Sequence, residues 1–243
     1  MMFRFDFLMW TLVEFFWMAV NVLLVAVIYS HTDSIGGWNE AQMLLLVGTS
    51  MLVQRLMLGF FWSNLFELGR NIRDGRLDFH LAQPGNPVFM ISTRKLDLDS
   101  LANALVAVAV IAHAAHRLGL EPTFPRVALY AASVGCALLI QYGLLLIIVS
   151  AGFWIIGTQG VEGGWFSLSE FSRLPREIFH GLAGVLLVWA LPVVIVTNIP
   201  ARLLMDGFNL TNVLWLMAAT VFWLALGVGV FNAGLRRYAS ASS

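Results

Sequence analysis

Three sets of residues in this chain are of types that do chemistry. The first is the stretch NIRDGRLDFHLAQPGNP at 71–87, polar and charged between long apolar runs. Arg73, Asp74, Arg76 and Asp78 put both signs of charge within two helical turns, and Leu77, Phe79 and Leu81 add apolar anchors. A protein-docking surface uses that mixture: charges select the partner, and apolar groups carry the contact energy. Gly75 permits a tight bend, and Pro84 and Pro87 close the segment. A solvated loop whose arginines only follow the membrane charge bias would need neither the anchors nor the prolines.

The second set is Glu14 and Arg55, which lie inside apolar runs where an unpaired charge is costly. Counted along helices, Glu14 is roughly 9 Å into the first run, and Arg55 is roughly 15 Å above the end of the second. Antiparallel neighbours would place them about 6 Å apart in height. An arginine reaches that far, so an intramembrane ion pair is expected. The functional alternative sets Arg55 on a translocation path facing an anionic substrate. The third set is His113 and His116, three residues apart on one helix face. No carboxylate or cysteine at helical spacing joins them, so metal binding is not expected and they read as interfacial polar residues. Asp97 and Asp99 flank the start of a span and read as helix N-terminal acids rather than a catalytic pair.

Several chemistries have no residues to carry them. The one lysine is Lys95, and there is no G-x-x-x-x-G-K-[ST] loop for nucleotide phosphates. There is no G-x-S-x-G elbow, no H-E-x-x-H and no C-x-x-C. Any work this protein does with nucleotide energy must be borrowed from a partner.

The elements that hold these residues are membrane-grade. The chain is 59% hydrophobic and only 12% charged, with mean hydropathy +0.81. A soluble domain carries about a quarter charged residues, so an all-α integral membrane protein is expected. Apolar runs long enough to cross the bilayer lie at 8–29, 41–65, 98–116, 126–156, 178–199 and 212–235, giving six spans in one domain over 1–243. Ten arginines and lysines then fall on the side of both termini and three on the other, with Arg55 inside a span. By the positive-inside rule both termini are expected in the cytoplasm. Pro192 and Pro200 break the fifth run, and DGFNLTN follows, so a helix, a break and a short re-entrant or interfacial segment on the outer side are expected, with a single kinked span and a short outer loop as the alternative. No cleavable leader pattern precedes the first run, so its helix is expected to stay in place. Cys136, the one cysteine, reads as a small core residue. No internal repeat is visible, which gives no support to an inverted-repeat transporter. The longest polar segments, 67–97 and 157–177, are both expected on the cytoplasmic side.

The 71–87 stretch fits the pattern I-R-x-G-x-L-D-x-x-L-x-x-P at Ile72, Arg73, Gly75, Leu77, Asp78, Leu81 and Pro84. In order along the chain stand Gly37–Trp38, Phe153–Trp154, FSRLPREIF at 171–179, Pro192 with Pro200, and LRRYAS at 235–240. This ordered set resembles the permease subunit of bacterial ATP-binding-cassette exporters of the type-two membrane family, in its six-span subgroup. The resemblance implies a permease that is not itself an enzyme and holds no cofactor. ATP and Mg would bind two partner ATPase subunits. A second copy or a homologous permease would complete the pair in the bacterial inner membrane, with lipid around it and no nucleic acid bound. It implies that 67–97 is the coupling loop, with Arg73, Asp74, Gly75, Arg76, Leu77, Asp78, Leu81 and Pro84 meeting the ATPase. Phe171, Arg173, Pro175 and Arg176 would form an auxiliary cytoplasmic contact. Such permeases begin with an amphipathic cytoplasmic helix; only about seven residues precede the first span here, so that element is expected to be short or missing. A membrane enzyme using His113 and His116, or a non-transporting scaffold subunit, are the alternatives.

Overall fold

The computed structural model describes residues 2–73, 77–78, 85–154 and 161–238, and every regular element among them is helical. Among the described residues, five helical stretches are long and apolar enough to cross a membrane, and a bent pair would make a sixth if counted as one span. Helix α1 (Met2–Tyr29) is apolar over Thr11–Tyr29 but for Glu14 and Asn21, with 11% of its membrane window covered by the rest of the chain. An apolar surface left open to that degree belongs against lipid or another subunit.

Helix α2 (Glu40–Met57) starts at a capping box: Asn39 accepts from the Gln42 N–H and Gln42 accepts from the Asn39 N–H. It continues through a π-helical turn (Leu58–Trp62) into α3 (Ser63–Arg73). Within that turn the Gly59 carbonyl accepts the Asp97 N–H at 2.9 Å, which ties the next long helix to this rod. A short helix α4 (Pro87–Ser92), capped by Asn86, precedes it. Helix α5 (Leu98–Arg117) is N-capped by Asp97, whose carboxylate takes the Asp99 and Ser100 N–H groups. Its far end is fixed to the start of α2 by an Arg117–Glu40 ion pair of 2.9 Å.

Helices α6 (Phe124–Ser150) and α10 (Leu210–Leu235) run parallel and meet backbone to backbone. A Cβ on Gly143 would fall 2.5 Å from the Trp223 carbonyl oxygen, and one on Gly227 would fall 2.7 Å from that of Gly143. Small residues permit such approach in lipid, where packing rather than water expulsion drives helix association.

These pairings define two ends. The base carries the start of α1, the end of α3, residues 85–97 and the end of α10. The crown carries 30–39, 118–123, 175–180 and 207–209. The fifth crossing is where sequence and structure part. Helix α7 (Val161–Glu170) and the 3-10 turn Phe171–Arg173 run antiparallel to α2 from base toward crown. Phe166 packs on Trp62 with ring centroids 4.7 Å apart, the Ser172 hydroxyl meets that of Ser50 at 2.7 Å, and the Glu177 carboxylate takes the Trp38 indole N–H at 3.0 Å. Residues 161–174 therefore cross the bundle, and the expectation of a second base-side loop over 157–177 is overturned for its described part.

The apolar run that hydropathy marked as the fifth span, 178–199, does not cross. It forms α8 (Gly181–Gly184) with the π-helical turn Val185–Ala190, then α9 (Ile195–Asp206), with an 80° bend between them. It leaves the crown at 180, where its neighbour Ile178 packs on Gly36. It reaches the level of Ser172, whose carbonyl accepts from the Thr197 hydroxyl, and returns to the crown, where Arg202 meets Glu177 at 2.6 Å. The break at 191–194 contains Pro192, which cannot donate to a continuing helix. The re-entrant element is thus the whole of 181–206, lying after the fifth crossing. Polar backbone at that depth is acceptable because protein covers it: Val194, Val196, Thr197 and Asn198 are all buried.

Candidate functional site

Glu14 and Arg55 come together from α1 and α2. Each stands fifteen residues from the crown end of its helix, Tyr29 for one and Glu40 for the other, which puts both roughly 22 Å down. The Arg55 Nη1 and the Glu14 Oε2 form an ion pair, with the arginine side chain 10% exposed. The fifth crossing adds residues that the sequence reading placed elsewhere. Arg173 bonds Asn21 of α1, reaches Gln54 of α2 at 3.3 Å and pairs with Glu170 at 2.8 Å. Two arginines and two glutamates thus sit at neighbouring depths between three crossings, neutral in sum. A narrow cavity of about 10 Å³ beside them, room for a single water, is lined by Ser50, Gln54, Gln141, Ser169 and Ser172. Met57, Leu58, Trp62, Trp165 and Phe166 complete its lining, so a polar seam beside an aromatic wall runs where α2 meets the fifth crossing.

At the crown, Glu177 is a hub. Its carboxylate accepts from the Trp38 indole, from the Arg176 Nε at 2.9 Å and from Arg202, whose guanidinium also lies 5.2 Å from the Trp38 ring centre. Burial pushes the Glu177 carboxyl up. The hydrogen bonds from Arg176 and Trp38, with the Arg202 charge, more than offset that, so it titrates below the usual carboxylate range. The hub joins the α1–α2 turn to the re-entrant hairpin. Asn198 reinforces it by accepting the Arg176 backbone N–H and donating to the Leu174 carbonyl.

These positions set the four residues of the expected auxiliary contact apart from the end of the bundle that carries the 67–97 segment. Arg173 is engaged inside the bundle, and Pro175 and Arg176 lie at the crown, where a Cβ on Gly36 would be 3.5 Å from Pro175. Phe171 packs its ring edge-on to Phe179, 6.1 Å away, between those levels. None of the four can meet a partner that docks at the base.

Of the expected coupling residues, Asp74, Gly75, Arg76, Leu81 and Pro84 lie outside the described residues. Arg73 closes α3. Leu77 is fully buried within the chain, so its apolar side chain is already covered and is not an anchor for a partner's groove. Asp78 stands beside Tyr238 at the end of α10; burial first, and then the Asp78 carboxylate, push the Tyr238 hydroxyl up. Lys95 pairs with Glu67 across the start of the loop. His113 and His116 are exposed on α5, and no group of three metal-ligating side chains gathers among the described residues.

Glu177, Arg202, Asn21 and Asn198 were missed from sequence. The usable signal was Glu170 and Arg173, three apart in a stretch that also holds Trp165, Phe166 and Phe171: an ion pair on a half-apolar helix. No curated protein and no solved structure matches the chain. A family model described as ABC-2 family transporter protein matches residues 15–242. That match takes in every crossing but the first turns of α1, on a helical membrane bundle, and the chain belongs to the ABC-2 transporter family.

Proposed function

We propose that this ABC-2 family membrane protein is the permease of an exporter whose base faces the cytoplasm and is driven by a separate ATPase docking on 67–97. The charge distribution supports the orientation. Among the described residues, Arg4, Arg70, Arg73, Arg94, Lys95, Arg236 and Arg237 lie at the base, against Arg117, Arg126, Arg176 and Arg202 at the crown. Seven against four is a weaker bias than the sequence topology implied, and it has the same sign.

The observation that carries the coupling reading is the anchoring of the loop. Leu77 is buried in the body of the chain and Asp78 abuts Tyr238, so a push on this segment is delivered to α10 and, through the glycine contacts, to α6. Leu77 thereby serves the loop as an internal fixing point. Arg73, Asp74, Arg76 and Asp78 supply the charges for docking, with Gly75, Leu81 and Pro84 shaping the segment. ATP and Mg belong to two ATPase subunits, and a second permease, identical or homologous, completes the pair in a bacterial inner membrane. The polar seam between α2 and the fifth crossing is the part of the interior suited to passage of a substrate with polar groups.

The test is copurification. The chain is expressed with its ATPase, and Arg73→Glu with Arg76→Glu is compared with wild type for ATPase recovery and ATP hydrolysis. Charge reversal is expected to lose the ATPase while thermal stability stays unchanged. A reversal variant that keeps full ATPase recovery and hydrolysis would return the stretch to a solvated loop.

A further inference from the structure

The Gln141 side chain of α6 is buried, 6% exposed, and makes no hydrogen bond among the described residues. It stands seventeen residues from the crown end of α6, roughly 25 Å down, and lines the narrow cavity of the polar seam. Gln54, fourteen residues along α2 and roughly 21 Å down, lines the same cavity. Its carbonyl oxygen accepts from Arg173 at 3.3 Å, which leaves its amide N–H groups free among the described residues. Both amides lie at the depth of the hydrocarbon core, which is about 30 Å thick. A buried amide without a partner is costly there, and lipid supplies no partner. Gln141 brings one carbonyl acceptor and two N–H donors to the cavity.

The serines around the cavity have already given their protons away. Ser169 donates to the Trp165 carbonyl at 2.9 Å, and Ser172 donates to the Ser169 carbonyl at 2.6 Å. With the Ser172 proton so used, the Ser50 hydroxyl is the donor in its 2.7 Å bond to Ser172. The serines therefore offer the cavity lone pairs, and the two glutamines offer N–H groups and one carbonyl. An occupant must both donate and accept. A volume of about 10 Å³ holds one water and nothing larger. Arg55 and Arg173 are paired with Glu14 and Glu170, so no net charge selects an ion. We propose that the cavity binds one water molecule, which donates to the Gln141 carbonyl and to a serine oxygen and accepts from the Gln54 amide. Three hydrogen bonds are what a buried water makes in folded proteins. The direct bond of Ser50 to Ser172 links α2 to the fifth crossing, and the water extends that link to α6. This goes beyond transport and does not depend on an ATPase partner.

The experiment is X-ray radiolysis of the full chain in detergent micelles, with a scavenger in the bulk solvent and mass spectrometry as the readout. X-rays split a bound water in place, and the hydroxyl radical oxidises the side chains that touch it, methionine to its sulfoxide. Met57 lines the cavity and is 2% exposed. Met51 is equally covered, six residues earlier in α2, and does not line it. Met57 is expected to oxidise several-fold faster than Met51. Gln141→Leu removes the acceptor and puts an apolar side chain into the site, and it is expected to bring Met57 down to the rate of Met51. Ser169→Val narrows the cavity from the fifth crossing with the same expected loss, and it carries the test where Gln141→Leu does not fold. Equal rates for Met57 and Met51 in the wild type would overturn the site. So would a wild-type Met57 rate kept in the folded variants.

Discussion

Replacing Glu14 tests how the membrane interior of this protein is held together. The Glu14 carboxylate is ion-paired with Arg55, whose side chain is 10% exposed and whose Nε and Nη1 have no hydrogen-bond partner among the described residues. Arg173 stands close by with its own glutamate, Glu170. Glu14→Leu therefore leaves a buried guanidinium with a second cation as neighbour. Removing one member of a buried pair costs about 3–5 kcal/mol, and a lone charge at helix centre costs about 3 kcal/mol by insertion. A loss of about 3 kcal/mol is expected. Arg55→Met alone strands Glu14 on the lipid side of α1 and should cost somewhat less, since that carboxylate is 32% exposed. The double variant leaves no stranded charge and should recover about 2 kcal/mol of the summed loss. Unfolding of the purified protein in micelles, followed through its tryptophans, gives the cycle. A coupling energy below about 0.5 kcal/mol, within the scatter of independent sites, would refute the pairing as a structural element.

The crown hub makes a pH prediction. Glu177 has a lowered pKa when folded, so its contribution is full above the ordinary carboxylate value and is lost as pH falls through the folded value. Trp38 fluorescence should therefore change on acidification below about pH 4.5 and lose that response in Glu177→Gln; an identical acid transition in the variant would assign it to other groups. Gly143→Leu should force α6 and α10 apart, because the Gly143 Cβ position is 2.5 Å from backbone; a variant with wild-type thermal stability would contradict the close approach. With Cys136 replaced by alanine, a cysteine at Arg176 should label with a membrane-impermeant reagent from the same side as one at Asp33. It should label from the side opposite one at Asn86, and labelling of Arg176 and Asn86 positions from one side would restore the topology read from hydropathy.

Much of the fold was legible in the sequence. An isolated helix in hydrocarbon must be about twenty residues long and apolar, and α1, α2 with its continuation, α5, α6 and α10 all announce themselves that way. Asp97 and Asp99 mark the start of α5 because a helix N-terminus demands acceptors. Counting depth along two helices was enough to match Glu14 with Arg55. Only the tertiary structure could decide that the polar VEGGWFSLSEFSR crosses the bundle and the apolar GLAGVLLVWALPVVIV turns back. Hydropathy measures the transfer of a lone segment into lipid, and neither segment makes that transfer alone. Arg173 and Ser172 find Asn21, Gln54 and Ser50 on neighbouring helices. Val194, Ile195, Val196 and Ile199 find protein rather than lipid at the turn of the hairpin. Which segment crosses was set by partners far away in the chain, and those partners exist only once the bundle has packed.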